Sequence, residues 1–313
     1  MIDFKVSVRC MTYNQASYIV DALNGFCMQQ TSFPYVCCIL DDASTDGEQD
    51  VIRKYLEDYF DLNDNSVVKN EDTDDYSLTF AQHKNNRNCY FAVYYLKYNH
   101  YKIWDRKYQY ISQWEHVTKY IAMCEGDDYW IDSNKLQEQY LFMASNPNCS
   151  LCFHPTFDLY SDGKMKQRCP AHIKQFYGTE DAIIGGSTMA PTNSLFFHKK
   201  VILEERPSFW ANAPIGDFPL ILFFSTKGEL GFINSTMSVY RKEAIGSWSS
   251  RNRSIRTWNR MVNGLLKMYD EFDMYTDYRY HSIIEKEKKK NNTIIRVRGI
   301  LGAIKTNFFK KFI

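Results

Sequence analysis

No stretch of this 313-residue chain approaches the ~18 consecutive apolar residues that cross a bilayer as a helix. Met1-Ile2-Asp3-Phe4-Lys5 lacks the basic flank and long apolar region of a secretory leader, so none is expected. Net charge is nearly absent as well, at +1, which removes the global bias of a nucleic-acid binder, and no nucleic-acid partner is expected. A disulfide framework is also lacking. The nine cysteines are odd in number and scattered, several inside apolar runs (Cys37, Cys38, Cys124), as reduced thiols in a cytosolic chain would be. Cys149-Ser150-Leu151-Cys152 is a lone CxxC with no second pair or histidine at zinc-ligand spacing, which favours core packing. By the same logic the NxS/T sites, such as Asn234-Ser235-Thr236, are expected to stay unglycosylated.

What is present describes a folded protein. Aromatic residues make up 16% and hydrophobic residues 44% of the chain, and its length suits one large or two small domains. Charge is unevenly placed. From Lys286 onward there are nine basic residues with only Glu287 against them, so a basic tail follows an acidic body.

The first half alternates strands and helices. Phe4–Cys10 reads as a strand, Ile19, Leu23 and Phe26 mark one face of a helix, and Tyr35–Leu40 is a continuous apolar run suited to a central parallel strand. A further helix begins near Val51, and Tyr120–Cys124 is another short buried strand. This order predicts a mostly parallel sheet with right-handed crossovers, whose ligands bind beyond the carboxyl ends of the strands. Three polar segments fall at such ends: Thr12-Tyr13-Asn14, Asp41-Asp42-Ala43-Ser44-Thr45-Asp46, and Glu125-Gly126-Asp127-Asp128-Tyr129-Trp130. Three carboxylates within four residues repel one another and call for a cation. Alone, that cluster suits either a solvated acidic turn or a divalent cation held by hard oxygen ligands; the shared location at strand ends favours the cation.

In this order and spacing, the three motifs resemble the family 2 glycosyltransferases of the GT-A fold, over about residues 4–250. The resemblance implies a nucleotide-sugar donor, Mn²⁺ or Mg²⁺, and inversion at the anomeric carbon. It places Thr12, Tyr13 and Asn14 near the base and ribose of a UDP-type donor, and Asp42 as acceptor of the base imide N–H. Asp128 is then the likelier direct metal ligand, with Asp127 on the ribose or on the metal through water. Glu125 stands where many relatives carry another Asp. Asp217, just before the apolar segment Phe218–Phe224, matches the family's general base, although a helix cap is its plain alternative. Arg241 and Trp248 match positions for phosphate and sugar contacts, with a surface ion pair and a core anchor as alternatives.

Residues 60–119 fit the family less well. Asn85-Asn86-Arg87-Asn88 is the only stand-in for its N-x-G motif, and the Tyr-rich run from Tyr94 to Tyr110 reads either as an acceptor-stacking insertion or as core. Glu229–Ile233 and Thr236–Tyr240 read as a β-ribbon. The expected organisation is an α/β GT-A domain over 1–250, its nucleotide half about 1–130 and its acceptor half about 131–250. A helical basic extension over 251–313 follows. In that extension Val297, Leu301, Ile304, Phe308 and Phe312 form an apolar stripe flanked by basic residues, suited to an anionic membrane surface or to packing on the acidic body. The expected enzyme works at the cytoplasmic face, possesses a glycan or lipid-linked acceptor, and serves surface polysaccharide synthesis. A non-catalytic nucleotide-sugar-binding module is the alternative from another class. A sugar nucleotidyltransferase ranks lower, because Met11–Gln15 lacks a Gly- and Lys/Arg-rich phosphate loop.

Overall fold

The computed structural model describes residues 2–63, 65–101, 104–202, 206–242, 244 and 255–290. Within them the first-half strands are β1 (Val6–Thr12), β2 (Tyr35–Asp41), β3 (Phe60–Asp61), β4 (Lys69–Asp72), β5 (Tyr76–His83), β6 (Cys89–Leu96) and β7 (Tyr120–Met123). The second half adds β8 (Tyr129–Trp130), β9 (Cys149–Phe153), β10 (Thr156–Leu159), β11 (Met165–Arg168), β12 (Phe176–Tyr177), β13 (Phe196–His198), β14 (Glu229–Phe232) and β15 (Ser238–Arg241). The large sheet runs β12-β14-β9-β13-β7-β1-β2-β6-β5-β3, with β4 on β5; a smaller sheet runs β11-β10-β15-β8. Parallel pairing of β7, β1, β2 and β6 forms the centre, so their carboxyl ends share one rim. This is the α/β architecture expected.

The strands read as buried because they are covered on both faces. Val6, Val8, Cys37 and Ile39 pack with Ile19, Leu23 and Phe26 of the helix Ile19–Cys27, while Val36, Cys38 and Leu40 pack on the other face with Ile111. Gly25 lets that helix approach β8 closely: a Cβ there would lie 2.9 Å from the Trp130 nitrogen. The second-half core gathers around helix Asp217–Ser225 and takes in Met268, Phe272 and Ile284, so the described part of the C-terminal extension packs on the body. The apolar stripe from Val297 to Phe312 and Trp248 lie outside the described residues.

Several sequence expectations change. Cys89–Leu96 is a fully buried central strand, so Tyr94 and Tyr95 are core; the Tyr94 hydroxyl accepts from Gln113 Nε2 (2.7 Å) and Trp114 Nε1 (2.8 Å). Asn85–Asn88 turns between β5 and β6 at the sheet's far end. There Asn86 Nδ2 donates to the Cys27 and Gln29 carbonyls, a structural task remote from the strand carboxyl ends. The expected β-ribbon separates: β14 joins the large sheet beside β9, and β15 joins the small one. Each strand finds more partners that way than a two-stranded ribbon offers. Cys149 and Cys152 are buried free thiols within and at the start of β9.

Candidate active site

The loops after β1 and β2 are knitted by side chains that the motifs supply. Asn14 Oδ1 accepts from the Thr45 amide (2.7 Å), and the Asn14 amide donates to Ser44 Oγ (2.9 Å). The Gln15 amide donates to Glu48 Oε2 (2.8 Å), and that of Asp42 to the Thr12 carbonyl (3.0 Å). Both loops contain an L-residue at positive φ, Asn14 at 55° and Ala43 at 60°. Such backbone persists only where its surroundings over-determine it, and it concentrates at functional loops.

Thr12 is buried, and its hydroxyl lies against Gln15 Oε1 (2.8 Å) and the Glu48 carboxylate, so that hydroxyl braces the loop. Tyr13 and Asn14 remain half-buried at the rim. Gly126 presses on this brace: a Cβ would sit 2.6 Å from Gln15 Oε1 and 2.7 Å from Thr12 Cβ. Gly126→Ala is therefore expected to displace the acidic turn, lowering stability by about 1–3 kcal/mol and weakening nucleotide binding. Denaturant unfolding and nucleotide titration check both.

Asp42 is buried, and partners within the chain hold it. The His100 amide donates to its Oδ1 (2.6 Å), and the Lys107 ammonium pairs with its Oδ2. Lys107 belongs to the helix Trp104–Val117, so the insertion places a cation beside the carboxylate expected to read the base. Arg9 is engaged by the same helix: its Nε and Nη2 donate to Glu115 Oε1 (2.7 Å) and Oε2 (2.9 Å). No sequence signal linked Lys107 or His100 to Asp42, because the contact spans more than fifty residues.

The acidic motif follows β7. Glu125 is pushed up to about 8, chiefly by burial and then by Asp127, with Arg9 and Lys107 pulling it back. Asp127 is half-buried and raised by burial, eased by Arg241. Asp128 is only 2% exposed. It is raised by burial and by Asp127, and its Oδ1 accepts from the Arg241 amide at 2.8 Å. Arg241 itself is a strap. Its Nη1 donates to the Asp127 carbonyl (2.8 Å), its Nη2 pairs with Asp21, and its guanidinium lies 4.6 Å from the Tyr129 ring. The phosphate contact expected of it would compete with these bonds.

Asp217 is the first residue of its helix, and its Oδ1 accepts the Phe218 amide (2.8 Å), so the capping alternative holds in part. Burial raises its pKa, and Arg168 moderates the rise. Tyr240 joins the two halves. Its hydroxyl is pushed up above the usual tyrosine range by burial first, and then by Asp128, Asp127 and Asp217 together. Asp217 and the acidic pair Asp127–Asp128, 89 or more positions apart in sequence, thus bear electrostatically on one hydroxyl, a link that the sequence did not reveal.

The carboxylates suit a hard divalent ion that completes its shell with water and phosphate oxygens. Among the described residues no three His, Cys, Asp or Glu side chains form a cage, and such an ion does not require one. Burial raises Glu125, Asp127 and Asp128, and repulsion from Asp127 adds to the rise at Glu125 and Asp128, a strain that a bound cation would relieve.

Residues 7–73 match the model of the family described as Glycosyl transferase family 2. The uncharacterized proteins Rv1520 of Mycobacterium tuberculosis and Mb1547 of Mycobacterium bovis are each 29% identical over 261 residues, covering 83% of this chain. The chain spans 65% of the length of these relatives. Among solved structures, S. aureus TarS 1-349 in complex with UDP-GlcNAc aligns with a TM-score of 0.51 at 13% identity, over 89% of this chain and 73% of that one. The mannosyltransferase PcManGT of Pyrobaculum calidifontis, in complex with GDP-Man and Mn²⁺, aligns with a TM-score of 0.55 at 13% identity, over 97% and 75%. At these identities the likeness establishes the fold.

Proposed function

We propose that this chain, a family 2 glycosyltransferase of GT-A fold, is metal-dependent and inverting. It moves a sugar from a nucleotide donor, UDP-linked by preference, to a hydroxyl of a glycan or lipid-linked acceptor in surface polysaccharide synthesis. The observation that carries this reading is the acidic pair Asp127–Asp128 after the carboxyl end of β7, tied to β15 through Arg241, with the Asp217 carboxylate bearing electrostatically on the neighbouring Tyr240. It offers a cation-demanding rim and a separate carboxylate, as transfer from a diphosphate requires.

Asp127 takes first claim as the ligand of Mn²⁺ or Mg²⁺, which revises the sequence preference for Asp128. Asp127 is half-buried at the rim, whereas Asp128 is nearly sealed and spends one oxygen on the Arg241 amide. Asp128 then orders Arg241 and adds negative potential. When bound, the ion supplies Lewis-acid stabilisation of the departing diphosphate. Asp42 is as sealed as Asp128, with the His100 amide on one oxygen and Lys107 on the other, so it reads the edge of the base only where Lys107 gives way. Asp217 keeps Oδ1 on the Phe218 amide and takes the acceptor proton on Oδ2. As that proton leaves, the acceptor oxygen bonds to the anomeric carbon, the bond to the phosphate oxygen breaks on the opposite face, and the configuration inverts.

No described helix is long and apolar enough to cross a membrane. The basic tail beyond residue 290 would hold the enzyme at the inner membrane surface, where lipid-linked acceptors reside.

The test is a screen of UDP- and GDP-sugars with the purified chain, with and without Mn²⁺. Metal-dependent hydrolysis of one donor is expected, with thermal stabilisation of about 2.7 kcal/mol at a hundredfold excess over Kd. If no nucleotide sugar is hydrolysed or stabilises the fold, the reading is wrong.

A further inference from the structure

One charged cluster beside the cleft has no part in the steps above. The small sheet presents Asp158 opposite Tyr240 and opposite Lys166 in register, so Asp158, Tyr240, Arg168 and Lys242 share one face by strand alternation. Arg168 Nε donates to Asp158 Oδ1 at 2.8 Å, and its Nη2 reaches the same oxygen. Lys242 Nζ lies 3.3 Å from Asp158 Oδ2. Both cations also cover Tyr240, at 4.6 Å for the guanidinium and 4.8 Å for the ammonium from the ring centroid. Two cations therefore share one carboxylate at bonding distance, while their side chains stay 17% and 32% exposed. Nearness to Arg168 helps, after burial, to lower the Lys242 pKa, so the two cations crowd each other. On the same face, the register partners Thr156 and Ser238 carry buried hydroxyls with no hydrogen-bond partner among the described residues. The wall is thus polar, cationic and incompletely satisfied.

We propose that Arg168 and Lys242 bind a phosphate group carried by the acceptor. A guanidinium fork and an ammonium reaching in from separate strands suit a tetrahedral oxyanion, which accepts hydrogen bonds in diverging directions; a single fork would satisfy a planar carboxylate. The side of the cleft decides between acceptor and donor. Arg168 acts on Asp217, and in an inverting transfer the base stands across the reacting carbon from the donor diphosphate. This assignment rests on the reading of Asp217 as the base.

The experiment uses the full chain saturated with Mn²⁺ and UDP, or GDP if only that nucleotide binds. Glycerol 3-phosphate, glycerol and glycerate are the probes, followed by calorimetry. Glycerol 3-phosphate is expected to bind at least about tenfold more tightly than either other probe. That preference is expected to fall about tenfold in Arg168→Gln and in the more exposed Lys242→Met. Nucleotide affinity should hold within about twofold in both, as expected for groups that bear on only one substrate. Equal binding of glycerol and its phosphate overturns the proposal, as does a preference for glycerate. Competition between glycerol 3-phosphate and UDP, or lost nucleotide affinity in both variants, overturns it by assigning the cations to the donor. If no nucleotide binds, the glycosyltransferase reading fails separately, and the same titrations on the nucleotide-free chain still report whether these residues hold phosphate.

Discussion

Asp127→Asn is expected to abolish metal-dependent transfer while leaving the chain folded. Lewis-acid stabilisation of a leaving diphosphate is worth several kcal/mol, so turnover should fall by about a thousandfold or more. Stability should move the other way or not at all. Folding raises the Asp127 pKa, chiefly through burial. The ionised form is therefore disfavoured in the folded state, and this cost is incurred as pH rises from the unfolded-chain value through the folded one. At neutral pH an amide removes it along with the repulsion toward Glu125 and Asp128. Thermal unfolding without metal should give an equal or higher midpoint for the variant, and added Mn²⁺ should stabilise only the wild type. A variant that kept turnover would show that Asp127 is not the ligand.

Asp217→Asn carries the second large effect. Loss of a positioned general base costs about 10²–10⁴ in rate, here expected in kcat with nucleotide affinity unchanged. The asparagine can still accept the Phe218 amide through its Oδ1, so the helix start survives. The pH profile separates base from cap. Because burial raises the Asp217 pKa, wild-type activity should decline on the acid side at a pH above the ordinary aspartate range. That limb should vanish in the variant. Near-normal turnover with an unaltered profile would leave Asp217 as a cap alone.

These residues differ in how far the sequence announced them. Tyr35–Asp41 is apolar on both faces because it is the middle of a parallel sheet, and that pattern is visible in one dimension. The motifs at the strand ends were visible for the same reason. The role of Thr12 was not, because its bond to Glu48 depends on how two loops fold back on each other. The Tyr-rich run is core at Tyr94 and Tyr95, the reading that the sequence favoured; what it did not announce is that these residues lie in a strand, Cys89–Leu96, paired between β2 and β5. The partners of Asp42 and the meeting of Asp217 with the acidic rim at Tyr240 arise from tertiary contacts, which carry no local signal. The proposed choice of Asp127 over Asp128 as ligand turns on burial, which adjacent identical residues cannot reveal.

The acidic rim's hold on a divalent ion shared with a nucleotide is tested most directly by titrating Mn²⁺ into the purified chain, with and without UDP or GDP, and following the free ion by electron paramagnetic resonance. The account predicts one site per chain that tightens when nucleotide is present and disappears in Asp127→Asn. Nucleotide binding of equal strength in excess chelator, or Mn²⁺ uptake unchanged by the substitution, would contradict it.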